Sequence, residues 1–163
     1  MFRVKDLTYM AILTGILFIQ EQILSFIPNV QLTVLLIVLY SKILGGPKTA
    51  IIVLIHTFLD TLLFNGLIYF PFMLAGWLII PITLNTIFKR VENIYALAGL
   101  GFLYSITYSW MFVLANSLIG EVSFVHYLLS DIIFELILGI SSFISILWLY
   151  EPLKKYHDNF VKL

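Results

Sequence analysis

The chain has no cysteine, which removes disulfides, thiolate metal sites and thiol nucleophiles together. Charge is scarce, with only 11% of residues Asp, Glu, Lys or Arg. Soluble domains carry roughly 25%. No clustered basic surface is available for nucleic acid. H-E-x-x-H and G-x-S-x-G are absent, so no metalloprotease or hydrolase pattern is present. GGPKT at Gly45–Thr49 lacks the spacing of a phosphate loop, and Pro47 removes a donor from it. His56, His126 and the acids show no metal-ligand spacing. These absences leave no enzyme class with a nameable nucleophile and base, and no cofactor is implied.

What is present is apolar residue. Of the 163 residues, 61% are hydrophobic, and mean hydropathy is +1.06. No soluble domain of this size needs so much. The expected fold is an all-α integral membrane protein, one domain over residues 1–163. Its start has the positive charge of a signal peptide but no A-x-A-like cleavage site, so a retained helix is expected. Six spanning helices are expected, at about 14–26 residues each. They are Leu7–Ile27, Gln31–Leu44, Pro47–Phe64, Pro71–Phe88, Ile94–Leu118 and Phe124–Tyr150. Pro28-Asn29, Gly45-Gly46, Asn65-Gly66 and Pro152 punctuate them, and Pro81 is expected to kink the fourth. The second is short, at about 21 Å against a hydrocarbon core of about 30 Å. Either the bilayer thins there or the segment Ile27–Gln31 dips inward as a lid over a cavity.

Basic residues set the orientation. All nine lysines and arginines fall on one side if the N-terminus is cytoplasmic: Arg3, Lys5, Lys42, Lys48, Lys89, Arg90, Lys154, Lys155 and Lys162. The positive-inside rule then puts both termini in the cytoplasm of what is expected to be a bacterial cell membrane.

Four carboxylates interrupt the apolar spans, namely Glu21, Asp60, Asp131 and Glu135. No lysine or arginine lies at their level in the spans to pair with them, and intramembrane ionisable groups are functional candidates by default. Helix rise places all four in the outer half. His56, Asn65, Trp77, Trp110, Asn116 and His126 fall at the same level, with Glu121 in the outer loop. His56 and Asp60 are i, i+4 on one helix face, as are Asp131 and Glu135. The second pair is two like charges, so one is protonated or a cation lies between them. On the fifth helix Ser105, Ser109, Phe112 and Asn116 share a face, beside Tyr104 and Tyr108. The expected substrate-binding set is Gln20, Glu21, Asn29, Gln31, His56, Asp60, Trp77, Trp110, Asn116, Asp131 and Glu135. Aromatic rings beside carboxylates suit a flat nitrogen-containing ligand. The alternative is that these groups only satisfy one another, that Gln31 and Asn29 cap the second helix, and that Asn85 packs between helices.

The first helix also carries Ala11 and Gly15, a small-xxx-small pair that admits a close helix neighbour. The pair serves either internal packing or docking. Ala11-x-x-x-Gly15, the IPNVQ segment, the small size and the absence of an ATP-binding motif together resemble the substrate-binding S components of energy-coupling factor (ECF) vitamin transporters. That family usually has alanine at both small positions. The resemblance implies an outward-facing pocket for a vitamin-like small molecule, such as a pyrimidine, pyridine or pteridine compound. It also implies toppling of the whole subunit in the lipid bilayer. Ala11 and Gly15 would dock a transmembrane coupling subunit driven by two ATP-binding cassette ATPases. A second resemblance, resting on Phe58-Leu59-Asp60 and on length, is to the cell-shape scaffold MreD. That family would not need Glu21, Asp131 and Glu135 at one level.

The orientation has a direct test. Single cysteines at Asn29, Gly66 and Gly120 are expected to react with an impermeant thiol reagent added to whole cells, and one at Lys89 is not. External labelling at Lys89 would invert the topology.

Overall fold

The structure is a computed structural model that describes residues 3–64, 66–119 and 123–160. Asn65, Gly120, Glu121 and Lys162, named above, lie outside the described residues. The described residues are helical, without a strand. They form α1 (Val4–Leu24), α2 (Thr33–Leu44), α3 (Gly46–Leu63), α4 (Phe70–Asn85), α5 (Ile94–Ile119) and α6 (Phe124–Phe160), with one 3-10 turn at Leu67–Tyr69. Five of these segments are long and apolar enough to cross a membrane, and α2 is too short to qualify.

α2 is the centre of the bundle. Every residue from Thr33 to Ser41 is buried, and α2 touches each of the other five helices. A helix enclosed on all sides needs no polar face, which accounts for the unbroken run TVLLIVLY. α1 lies at the periphery and packs mainly on α3. Its buried line is Asp6, Met10, Leu13, Thr14 and Leu17, an i, i+3/i+4 stripe. Ile12, Ile16, Ile19 and Ile23 face outward.

Local chemistry sets the joints. A single residue, Gly45, separates α2 from α3 at φ +82°, a conformation glycine adopts without steric cost. Pro47 sits in the first turn of α3, where its missing N–H has no intrahelical partner to lose. Lys42 Nζ donates to the carbonyls of Phe88 and Lys89, both at 3.2 Å, which closes the turn after α4. Asp6 joins Lys48 at 2.8 Å and accepts from the Arg3 N–H at 3.0 Å, tying the starts of α1 and α3. These contacts gather Arg3, Lys42, Lys48 and Lys89 at one end of the bundle, the basic end.

α5 and α6 form the most extensive helix pair. Side chains of one helix pack onto the bare backbone of the other at Gly101, where an added Cβ would collide with Ile146, and at Gly139, where it would lie 2.7 Å from the Phe102 ring. Ser105 Oγ donates to Ser142 Oγ at 2.7 Å in the same seam. Asn85 packs on Gly46 and donates to the Pro81 carbonyl at 2.8 Å.

One expected boundary is corrected. α6 does not stop at Pro152 but runs 37 residues to Phe160, about 55 Å at 1.5 Å per residue. Proline opposes the carbonyl four residues earlier, here that of Trp148, which is on an exposed part of the helix. The helix can therefore bend outward there without a clash in the core. The extension brings His157 against Tyr9, with ring centroids 6.0 Å apart.

Glycine substitutions test the packing. A Cβ at Gly76 would lie 2.9 Å from Tyr108 Cδ2 and 3.4 Å from its Cα, whereas one at Gly99 meets nothing within 4 Å. Gly76→Ala is expected to destabilise by about 1–3 kcal/mol through overpacking. Gly99→Ala is expected to be neutral or to stabilise by up to about 1 kcal/mol through helix propensity. Thermal unfolding in one detergent reads the contrast, and equal midpoints would contradict the α4–α5 contact.

Candidate functional site

A cavity of about 340 Å³ opens at the end of the bundle opposite the basic residues. Glu21 and Gln22 enter it from the last turn of α1, Asp60 and Phe64 from the end of α3, Tyr108 and Phe112 from α5, and Leu138 from α6. The connection between α1 and α2 forms its roof, with Ile27, Pro28, Asn29, Val30 and Gln31 all lining it. Asn29 turns this connection at φ +58°, a left-handed conformation that asparagine tolerates better than most residues. The connection lines the cavity but does not dip inward as a buried lid: Ile27 and Pro28 are exposed and Asn29, Val30 and Gln31 are half-buried.

Gln20 holds the roof in place. Its Oε1 accepts from the Leu32 N–H at 3.0 Å. Its Nε2 donates to Thr33 Oγ1 at 2.8 Å and to the Leu17 carbonyl at 3.0 Å. The side chain thus serves a backbone donor at the start of α2, which has no intrahelical partner of its own. Gln31 Oε1 accepts from Thr33 Oγ1 at 3.2 Å.

Charge inside the site is uneven. His56 Nε2 lies 3.0 Å from Glu21 Oε2. Glu21 Oε2 nonetheless makes no hydrogen bond that meets geometric criteria, so the contact is a close approach that becomes an ion pair only when the imidazole is protonated. Asp60 is one helical turn beyond His56 on the same buried face of α3 and close enough to Glu21 and His56 to feel both charges. Among the described residues, six buried side-chain nitrogen or oxygen atoms lack a hydrogen-bond partner. Five of these belong to Glu21, Gln22, His56, Thr57 and Asp60. Buried polar atoms are nearly always satisfied, and each one left bare costs about 1–3 kcal/mol. Of these five, Glu21, Gln22 and Asp60 line the cavity, where water or a ligand can reach them, and His56 and Thr57 are buried behind it.

The walls are aromatic. Trp77 stacks on Tyr108 with centroids 3.6 Å apart and planes 17° from parallel. Tyr108 meets Phe112 edge to face at 5.3 Å. Trp77 is buried behind Tyr108 and does not itself reach the cavity.

The expected site residues therefore separate. Glu21, Asn29, Gln31 and Asp60 line the cavity, and His56 stands behind Glu21. Gln20 anchors the roof. Asn116 lies outside, accepting from Tyr69 Oη at 3.1 Å and donating to the Phe112 carbonyl at 2.9 Å. Asp131, Glu135 and Trp110 form a second cluster in the α5–α6 seam. There Ser109 Oγ is 3.1 Å from Asp131 Oδ2 and 3.3 Å from Glu135 Oε1. Trp110 Nε1 donates to Glu135 Oε2 at 3.4 Å. One serine hydroxyl has one proton to donate, so it serves only one of the two acids at a time. Gln22, Phe64, Tyr108, Phe112 and Leu138 line the cavity without having been in the expected set. Gln22 carried a signal, as the third of three polar residues in an apolar helix. Leu138 carried none.

Ala11 is exposed, and a Cβ at Gly15 would meet nothing within 4 Å. Neither residue serves internal packing, and both face the surroundings.

No protein-family model matches the chain, and no curated protein or solved structure matches it.

The role of Gln20 can be measured. Gln20→Met keeps length and removes both polar atoms. It leaves the Leu32 N–H and the Thr33 hydroxyl short of a partner, at a cost of about 1–3 kcal/mol. A lower unfolding midpoint and faster amide exchange at residues 30–33 are expected. Unchanged exchange there would mean that the roof is held by other contacts.

Proposed function

We propose that this chain is the substrate-binding membrane subunit of an ECF-type importer. In this reading it captures a small nitrogen-ring molecule, a vitamin or vitamin precursor, from outside the cell. It then delivers that molecule by docking to a transmembrane coupling subunit powered by two ATPases. It binds and hands over rather than transforms. The observation that carries the reading is the roofed cavity with its bare buried polar atoms. A cavity of a few hundred Å³ with apolar walls and a few convergent polar groups is the form that small-molecule sites take.

Two further features support it. The cavity lies at the end opposite the basic residues, so the positive-inside rule directs its mouth outward and both termini to the cytoplasm. The six-crossing topology follows if α2 and its roof together cross as one segment. Ala11 and Gly15 give α1 an outward face without bulk, where a partner helix could come close. The same helix carries Glu21 and Gln22 at its far end, about 10 Å beyond Gly15.

One experiment with two readouts tests the proposal. Protein purified in mild detergent is extracted and the released small molecules are identified by mass spectrometry. Uptake of the identified compound is then measured in cells carrying wild type, Ala11→Trp or Gly15→Trp. A stoichiometric bound molecule is expected in all three proteins, with uptake lost in the two variants. No retained molecule would remove the capture role. Full uptake in both variants would remove the docking role of α1.

A further inference from the structure

The cavity also bears on what the captured molecule must carry, an inference that rests on the capture reading above. We propose that the site selects a ligand with a delocalised positive charge on a ring, and that Asp60 is the residue that meets this charge.

The argument begins with a count of charges. Glu21 and Asp60 are the two carboxylates lining the cavity. Among the described residues no lysine or arginine lines it. The base recorded beside these acids is His56, whose Nε2 lies 3.0 Å from Glu21 Oε2. With His56 singly protonated the two acids are uncompensated. With it doubly protonated one negative charge still remains. The N-terminus of α2 offers roughly half a positive charge at most, and its Leu32 N–H is already taken by Gln20. Asp60 therefore stands as the unmatched acid. It is 7% exposed, and its Oδ1 has no hydrogen-bond partner. An uncompensated buried carboxylate is costly, and an incoming cation removes that cost.

Geometry narrows the cation. The volume of about 340 Å³ is at the small end of ligand sites, which fits one or two rings. Tyr108 and Phe112 form the wall on α5, and aromatic faces attract cations as well as rings. Gln22 sets its amide beside the Asp60 carboxylate in the cavity wall, so the ligand meets both groups together. A compact alkylammonium could meet the aromatic wall by cation–π attraction only, without ring stacking. A flat ring cation uses both walls.

The acid pair Asp131 and Glu135 is not part of this site. Its oxygens already contact Ser109 and Trp110, and neither residue lines the cavity.

The test uses an isosteric pair of probes, 4-amino-1-methylpyridinium and neutral 4-methylaniline. Each is titrated into the full-length protein in lipid nanodiscs after removal of any retained molecule, and binding is followed by calorimetry. The cation is expected to bind at least tenfold more tightly than its neutral isostere. Asp60→Asn is expected to abolish the preference, while Asp60→Glu and Glu135→Gln keep it. Equal binding of the two probes to wild type, or binding of neither, would overturn the inference. So would a preference that survives in Asp60→Asn. If Asp60→Asn does not fold, the wild-type ratio decides alone. Recovery of a neutral or anionic retained molecule would overturn the charge inference and leave the capture reading standing.

Discussion

The enclosure of α2 is the constraint on which the rest of the structure depends. A helix buried on every side must be surrounded, and five others surround it. Its 12 residues rise only about 18 Å, while the 21 residues of α1 and 26 of α5 rise about 32 and 39 Å. The taller neighbours stand past its N-terminus and leave a volume that α2 does not fill. The chain between α1 and α2 closes over that volume, and Gln20 fixes where it closes. Cavity and roof are thus one consequence of a short central helix. They need no separate device beyond one glutamine and one left-handed asparagine.

Two polar groupings share the end of the bundle away from the basic residues, and they differ in how their partners add up. In the α5–α6 seam, acids meet hydroxyl and indole donors from the facing helix. The packing of Phe102 on Gly139 and the Ser105–Ser142 bond belong to the same tight interface. Glu21 and Asp60 instead face a cavity, with His56 and Gln22 as their neighbours. Similar residue types are therefore placed differently. The seam acids help hold two helices in register, and the cavity acids border open volume.

The sequence shows much of this and hides one step. The apolar runs, their punctuation by proline and glycine, and the brevity of the second segment point to the helices and to a cavity under the connection that precedes that segment. The level at which the carboxylates gather follows from rise per residue alone. Which carboxylates are satisfied does not follow, because that depends on which helices touch. Asp131 and Glu135 look the more demanding pair in sequence, being two like charges one turn apart. Ser109 and Trp110 answer them only because α5 and α6 are neighbours. Asp60 looks already paired to His56 by spacing, yet His56 turns to Glu21 on another helix. The continuation of α6 past Pro152 is likewise invisible locally, since it depends on the exposure of the turn around Trp148 rather than on the proline itself.

α1 joins these themes. It is peripheral, packs mainly on α3, and is tied to its neighbours at two levels. Asp6–Lys48 fixes the basic end. Glu21–His56 and the bonds of Gln20 fix the other. Between these ties the outward side carries isoleucines, Ala11 and Gly15, none of them engaged in the core. A molecule lodged between Glu21 and Asp60 would add a further tie across the same α1–α3 pair, at the end where buried polar atoms now lack partners. Occupancy would therefore stiffen the one helix that also presents the small-residue surface. A ligand can bias a surface only through a differential contact with the element that bears it. Here that element is a single helix, with the acid at one end and the open face about two turns below.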